Sequence, residues 1–228
     1  MISQHIQMPL KVKMNGRIIL FGLILSLVLC YSALFLEYRY IFTLEYFASQ
    51  SVSYADAYEW YRQELSIIWL NVVGVLAVIL GRTLVISLIL YTSHKVANVS
   101  VRFDQEFAIA SIATIIFGLN YLVTVIGKVT GLISYSPETV NNNYRYQSVN
   151  VFFDSRISLS CLKGPLDLLN ISQVVSLVIL VVFSLIILNS KTYKSKLKIL
   201  VSTLIGYMTF LFLIINVFIL TNMVQYYA

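Results

Sequence analysis

Residues 67–91 read IIWLNVVGVLAVILGRTLVISLILY, an apolar run in which Arg82 is the single charged residue. A helix rises about 1.5 Å per residue, so this stretch is long enough to cross a hydrocarbon layer about 30 Å thick. Soluble protein cores do not need apolar runs of this length. The stretch therefore predicts a transmembrane helix, and the fold of the chain depends on how often such runs recur.

Four further apolar runs surround this one, and charged residues are scarce along the whole chain. Charged residues make up 11% of the 228 residues and hydrophobic residues 59%, whereas soluble domains carry roughly 25% charged residues. Within lipid, only helices and closed barrels satisfy the backbone polar groups. We therefore predict an all-α, polytopic transmembrane helix bundle of five spans. The predicted spans are 18–36, 67–91, 107–127, 171–189 and 199–221, forming one transmembrane domain over 18–228 after a cytoplasmic N-terminus, 1–17.

The first apolar run is interpreted as a retained span. It is about 19 residues long, whereas the apolar region of a signal peptide is usually about 7–15. No clear small-x-small cleavage site follows it before Glu37. A cleaved signal peptide is the competing interpretation.

Basic residues at the span ends predict the orientation of the bundle. The short connection between the fourth and fifth spans carries four lysines, and short basic connections tend to stay on the cytoplasmic side. This places the N-terminus inside and the C-terminus outside. Frequent Asn, Ile, Lys and Tyr suit an AT-rich bacterial genome, so the expected location is a bacterial cytoplasmic membrane. The four lysines are Lys191, Lys194, Lys196 and Lys198.

The two outer loops of this topology differ in character. The loop 37–66 is aromatic and mostly acidic, which favours a short helix lying along the membrane surface. The loop 128–170 is the longest polar segment, and within it Tyr144–Phe153 alternates in a way that suits a strand or hairpin arm.

Polar residues inside the spans are the candidate functional positions. Arg82 is a functional candidate because a charge within a membrane is costly, although its long side chain could also snorkel to the headgroups or pair structurally. Asn71, Asn120 and Asn216 are expected to join helices by hydrogen bonds, or to line a path for a solute.

Small residues recur at helical spacing in the second and third spans. Such faces let two helix backbones approach closely. We expect the two faces to pack together, so that a bulky Gly81→Ile substitution would impair folding. The faces are Gly74, Ala77 and Gly81 in the second span, and Ala110, Thr114 and Gly118 in the third.

Enzyme signatures are not found in the sequence. There is no Gly-x-Ser-x-Gly elbow, no His-Glu-x-x-His and no phosphate-binding glycine loop. His5 and His94 belong to no recognisable ligand cluster, and Glu106 is interpreted as a solvated cap. A missing histidine or carboxylate relay also counts against an ion-coupled carrier. We therefore expect no catalytic residue, no metal and no cofactor, and the basic charge is not expected to bind nucleic acid.

Three stretches resemble the YIP family of Ypt-interacting proteins, which are small five-span membrane proteins with an inner N-terminus. They are residues 84–90 followed by His94-Lys95, the segment Phe103 to Ala113, and Leu166 to Ile171 leading to Ser176-Leu177-Val178. The glycine signature of the family after the second span is absent. The resemblance implies a scaffold or trafficking-type protein without catalytic residues, and it transfers no functional residue to this chain.

The first expected function is therefore that of a non-enzymatic, multi-pass membrane protein. It would act through helix–helix contacts with a membrane protein partner or a second copy, within the lipid bilayer. The alternative is a transporter or channel component with a polar path near Arg82, Asn71 and Asn120. Loss of a solute flux in an Arg82→Ala variant would favour the alternative.

Overall fold

The computed structural model of the chain describes residues 3–51, 53–135, 170–189 and 192–227. These residues form helices and no strand, which confirms the predicted all-α fold. The predicted strand or hairpin arm at 144–153 lies outside the described residues. The helices are α1 (Ser3–Tyr40), α2 (Leu44–Ala48), α3 (Tyr54–Ser66), α4 (Ile68–Val96), α5 (Phe103–Val129), α6 (Ile171–Leu188) and α7 (Tyr193–Tyr227).

Five of these helices, α1, α4, α5, α6 and α7, are long and apolar enough to cross a membrane. The protein is therefore a multi-pass membrane protein. The second and third spans are longer than their apolar runs, because α4 continues to Val96 and α5 already begins at Phe103. His94 and Glu106 consequently lie inside helices, and not in a connection as the sequence predicted.

Helix α5 lies at the centre of the bundle. It packs against α1, α4 and α6, while α7 closes the bundle against α4 and α6. Small side chains on several faces of α5 allow this position, since they let neighbouring backbones come close. Ala108, Ala110, Ala113 and Thr114 of α5 are all completely buried or nearly so.

The closest helix contact joins α1 to α5. A Cβ atom built on Gly22 would lie 2.7 Å from Ser111 Oγ and 2.8 Å from the Ser111 backbone, so no larger residue fits here. Farther along the same contact, a Cβ on Gly118 would lie 3.0 Å from the carbonyl oxygen of Ser26. The contact therefore requires glycine at Gly22 of α1 and at Gly118 of α5.

The predicted pairing of the two small-residue faces is wrong. Space is open around Gly74 and Gly81, Ala77 is exposed, and these residues point away from the contact that α4 makes with α5. The buried side of α4 carries larger residues instead, including Ile79 and Thr83. On α5 the predicted face is buried, but Gly118 contacts α1, while Thr114 reaches α4, where its hydroxyl lies 3.0 Å from that of Thr83.

The loop 37–66 contains the short helices α2 and α3, in agreement with the surface helix predicted there. Each begins at a capping hydroxyl: Thr43 accepts from the N–H of Tyr46, and Ser53 accepts from that of Asp56. Such caps satisfy backbone donors that would otherwise be unpaired. Together with the end of α1, these helices cover one end of the bundle, here called the α3 end.

The Gly22 contact predicts a sharp difference between two glycines of α1. A Gly22→Ala substitution forces the new methyl group into Ser111 and should lower the free energy of unfolding by about 1–3 kcal/mol. Gly16→Ala is the matched control, because nothing lies within 4 Å of a Cβ at Gly16. Thermal unfolding in detergent measures both variants, and equal midpoints would contradict the contact.

Candidate functional site: a buried polar column

Many side chains buried between the helices are polar or ionisable, although the surface of the bundle is apolar. A charge inside a membrane is costly, and such residues usually mark a pathway or a relay. Three groups stand out along the bundle axis. We call them the His94 cluster (His94, Glu106 and Thr203), the Arg82 cluster (Arg82, Gln173 and Tyr207) and the α3 cavity.

The His94 cluster joins three helices by two contacts. Nδ1 of His94 lies 2.9 Å from Oε1 of Glu106, and Nε2 lies 3.1 Å from Oγ1 of Thr203. All three side chains are completely buried. An ionisable pair of α4 and α5 is therefore held against a hydroxyl of α7, away from solvent.

Thr203 allows this cluster to accommodate two charge states of the imidazole ring. Its hydroxyl also lies 2.8 Å from the carbonyl oxygen of Ile199, to which it can donate its hydrogen. In that arrangement Nε2 of His94 donates to Thr203, and Nδ1 either donates to Glu106 from an imidazolium ring or accepts from a protonated Glu106. If the hydroxyl instead donates to Nε2, the ring is neutral and Nδ1 donates to Glu106. Either orientation of the Thr203 hydroxyl therefore gives Nε2 a hydrogen-bond partner.

Local structure fixes the two ionisable residues at adjoining helix ends. Asn98 adopts a left-handed conformation with φ 55°, and the N–H of Val99 bonds back to the carbonyl of His94 at 2.9 Å, which closes the last turn of α4. Glu106 follows in the first turn of α5. Helix dipoles favour a cation at a C-terminus and an anion at an N-terminus, so both positions suit these charges.

Glu106 retains one unused acceptor. Its Oε2 atom is buried and has no hydrogen-bond partner among the residues that the structure describes. An unsatisfied buried acceptor costs about 1–3 kcal/mol, more when it is charged. A buried acceptor without a partner therefore calls for an explanation beyond helix packing.

The Arg82 cluster lies near the middle of the bundle. Nη2 of Arg82 donates to Oε1 of Gln173 at 3.3 Å, and the hydroxyl of Tyr207 donates to the same oxygen at 2.5 Å. The guanidinium carbon lies 5.2 Å from the ring centre of Phe117 and 5.1 Å from that of Phe210. An amide and two aromatic rings therefore hold this cation inside the bundle, so the snorkelling alternative does not describe it.

The three candidate asparagines take different positions. Asn71 donates to the hydroxyl of Tyr38 at 2.5 Å and so joins α4 to α1. Asn120 is 5% exposed, and neither of its amide atoms has a partner in the described part of the chain. Asn216 donates to the carbonyl of Phe212 in its own helix. Only Asn71 thus links two helices in the way that the sequence suggested.

The α3 cavity occupies about 1080 Å³ at the α3 end. Helices α1, α4 and α5 form its walls, and α2 and α3 cover it. Glu37 accepts a hydrogen bond from the hydroxyl of Tyr121, and Glu64 accepts one from the hydroxyl of Tyr38 at 2.8 Å. Asn71 also lines the cavity, so Tyr38 ties two of its polar residues together, Glu64 and Asn71.

The three groups follow one another along the bundle. Phe117 lines the α3 cavity and also stacks on Arg82. Tyr207 of the Arg82 cluster and Thr203 of the His94 cluster are four residues apart on α7, a rise of about 6 Å. The column of polar side chains thus runs from the α3 cavity, past the Arg82 cluster near the middle of the bundle, to the His94 cluster at the opposite helix ends.

Sequence reasoning missed most of this column because the apolar runs end before the helices do. A helical pattern nevertheless carried a signal. Glu106 lies four residues before Ala110, on the same stripe as Thr114 and Gly118, which the sequence had already marked as a packing face. A carboxylate on that stripe is directed into the bundle. His94 continues the stripe of Leu90 in the same way.

Comparison with family models, with curated proteins and with solved structures finds no match for this chain. The resemblance to the YIP family therefore stays a prediction. Within the described ranges there is no group of three or more His, Cys, Asp or Glu residues that could hold a metal ion. The buried polar column is thus the feature of the described residues that bears most directly on function.

The His94 cluster predicts strong coupling between two substitutions. Glu106→Leu leaves His94 without its carboxylate and should cost about 3–5 kcal/mol of unfolding free energy, whereas the double variant with His94→Leu should recover part of this loss. Asp104→Asn is the control, because its pair with Arg102 is partly exposed and contributes about 1 kcal/mol or less. Unfolding by denaturant in mixed micelles measures the effects, and simple additivity would contradict a buried ion pair.

Proposed function

We propose that this protein is a membrane transporter without enzymatic activity, which moves a small solute through the bundle and couples that movement to protons. The buried His94–Glu106 pair carries the proposal. From the sequence, the lack of a buried histidine or carboxylate argued against an ion-coupled carrier, and both residues are buried in the bundle. Ionisable groups in such positions commonly act as proton relays.

The hydrogen-bond geometry supports proton exchange at this pair. Thr203 can either accept from His94 or donate to it, so both protonation states of the ring have partners. The unpaired Oε2 of Glu106 provides a second place for the proton. A cluster that served only to hold the helices together would not need either property.

The remaining column supports a path for the solute. The α3 cavity would be the entrance on the outer side, given the predicted inner N-terminus. Arg82, between Phe117 and Phe210, separates this cavity from the His94 cluster. A path through the bundle that is blocked at Arg82 would correspond to one closed state of an alternating-access cycle.

A flux assay on the Glu106→Gln variant tests the proposal. The purified protein is reconstituted into liposomes that contain a pH-sensitive dye. Inorganic cations, organic cations, amino acids and sugars are then supplied in turn. We expect at least one class to move protons above the rate of protein-free liposomes. Glu106→Gln should lose most of this movement, since an amide cannot carry the proton although it still accepts from His94.

Asp104→Asn is the matched control for this assay. Asp104 lies two residues away and bonds to Arg102 and Asn15, outside the His94 cluster. This variant should keep the flux. Proton movement with none of the solutes, or a Glu106→Gln variant as active as the wild type, would contradict the proposal.

A second candidate function, contact with a partner spanning helix, is favoured by one observation. Ala77 and Gly81 lie exposed on α4, with open space around Gly81, although small-residue faces commonly mediate helix association. Purification in mild detergent followed by mass spectrometry should then recover a stoichiometric spanning protein, or a dimer of this chain. Gly81→Ile should release it. A solitary protein would remove this candidate.

A further inference from the structure

Two carboxylates line the α3 cavity, while lysine, arginine and histidine are absent from its described lining. Glu37 is 5% exposed, and Glu64, a residue of α3, is half-buried. One oxygen of each accepts a tyrosine hydroxyl, and the second oxygen has no hydrogen-bond partner among the described residues. An ionised carboxylate can accept several hydrogen bonds, so both retain capacity for a positively charged group.

Aromatic rings surround these carboxylates. Trp60 of α3 lines the cavity together with Phe42 and Phe47, and the rings of Tyr38 and Tyr121 lie beside the two carboxylates. The face of an aromatic ring attracts cations, Trp most strongly, and the attraction is greater where water is excluded. A cavity that combines carboxylates with ring faces is suited to an organic cation.

We infer that the α3 cavity binds a drug-sized organic cation, with Glu64 as its main charge partner. Glu64 is favoured over Glu37 because Glu64 is only half-buried, whereas Glu37 is 5% exposed and therefore less accessible to a ligand. The volume of about 1080 Å³ slightly exceeds the range for drug-sized ligands, about 300–1,000 Å³, so such a ligand has room. The inference names the class of solute that the proposed transporter would carry, and in that respect it rests on the proposed function. Binding itself can be measured without transport.

The same lining argues against two other ligands. An organic anion would meet two carboxylates without a compensating basic side chain in the described lining. A metal ion such as Ca²⁺ needs about six to eight oxygen ligands close together. The faces of the tyrosine and tryptophan rings would attract neither an organic anion nor a metal ion that needs oxygen ligands, whereas they attract an organic cation.

Fluorescence of Trp60 provides a direct measurement of binding. The chain has two tryptophans, and Trp69 is 60% exposed and outside the cavity lining. A Trp69→Phe background therefore leaves Trp60 as the reporter. In this background, tetraphenylphosphonium should quench the fluorescence saturably, whereas tetraphenylborate, which has nearly the same shape and the opposite charge, should not. Empty detergent micelles correct for partitioning.

Two variants test the assigned contacts. Glu64→Gln keeps an oxygen for the Tyr38 hydroxyl but removes the charge, and it should weaken tetraphenylphosphonium binding by about tenfold or more. Glu59→Gln is its control, because Glu59 lies on the same helix outside the cavity lining. A Cβ at Gly74, which lines the cavity, meets no atom within 4 Å, so Gly74→Phe should fill the cavity and abolish binding, whereas Gly81→Phe, also in open space but outside the lining, should not.

Each outcome supports or overturns the inference. Saturable binding of the cation that is lost in Glu64→Gln and Gly74→Phe supports it, provided that both variants elute as the wild type does in gel filtration. Equal responses to the two ions, or unchanged binding in both variants, overturns it. Binding without proton flux would contradict the proposed function alone. Proton flux with another solute, together with no cation binding, would contradict only this inference.

Discussion

The structure depends on one constraint: polar groups inside a hydrocarbon layer find no water and must be satisfied by the protein itself. Five apolar helices provide the outer surface, so the polar side chains of the spans are gathered between them. A helix at the centre of the bundle meets most of these side chains. Helix α5 takes this position because Ala, Ser, Thr and Gly on its faces let three neighbours approach closely.

Close packing and polar content are unevenly distributed along the bundle. Where α1 meets α5 at Gly22 and Ser111, backbones touch and no room remains for a solute. Toward the α3 end, aromatic side chains and carboxylates line the cavity between α1, α4 and α5. Tight contact of α1 with α5 at one level of the bundle therefore coexists with an open volume at another level. This division is what a membrane protein with an internal binding site requires.

The sequence predicted the general architecture well, since five long apolar runs and sparse charge leave few alternatives to a helical bundle. It predicted side-chain partners poorly. Apolar length places a span but does not fix its ends, so His94 and Glu106 were assigned to a connection although both lie in helices. Which face of α4 is buried was also misjudged. The small residues Gly74 and Gly81 suggested close packing, whereas the bundle uses the larger Ile79 and Leu90 on the other side.

Arg82 illustrates a further limit. Its burial cost suggested a carboxylate partner, and the apolar runs contain none, yet an amide from α6 and rings from α5 and α7 hold it. Such a site requires three helices that are distant in sequence. No local sequence pattern predicts this site, because each residue that contributes to it is an ordinary residue of its own helix.

The short connection between α4 and α5 has a consequence for how the chain enters the membrane. His94 and Glu106 are separated by only 12 residues, whereas Thr203 follows His94 by 109. During synthesis the imidazole ring and the carboxyl group can therefore pair with each other as soon as the α4–α5 hairpin has left the ribosome. Paired in this way, the hairpin can be inserted as one unit at a lower electrostatic cost than two separate spans, before α7 is made.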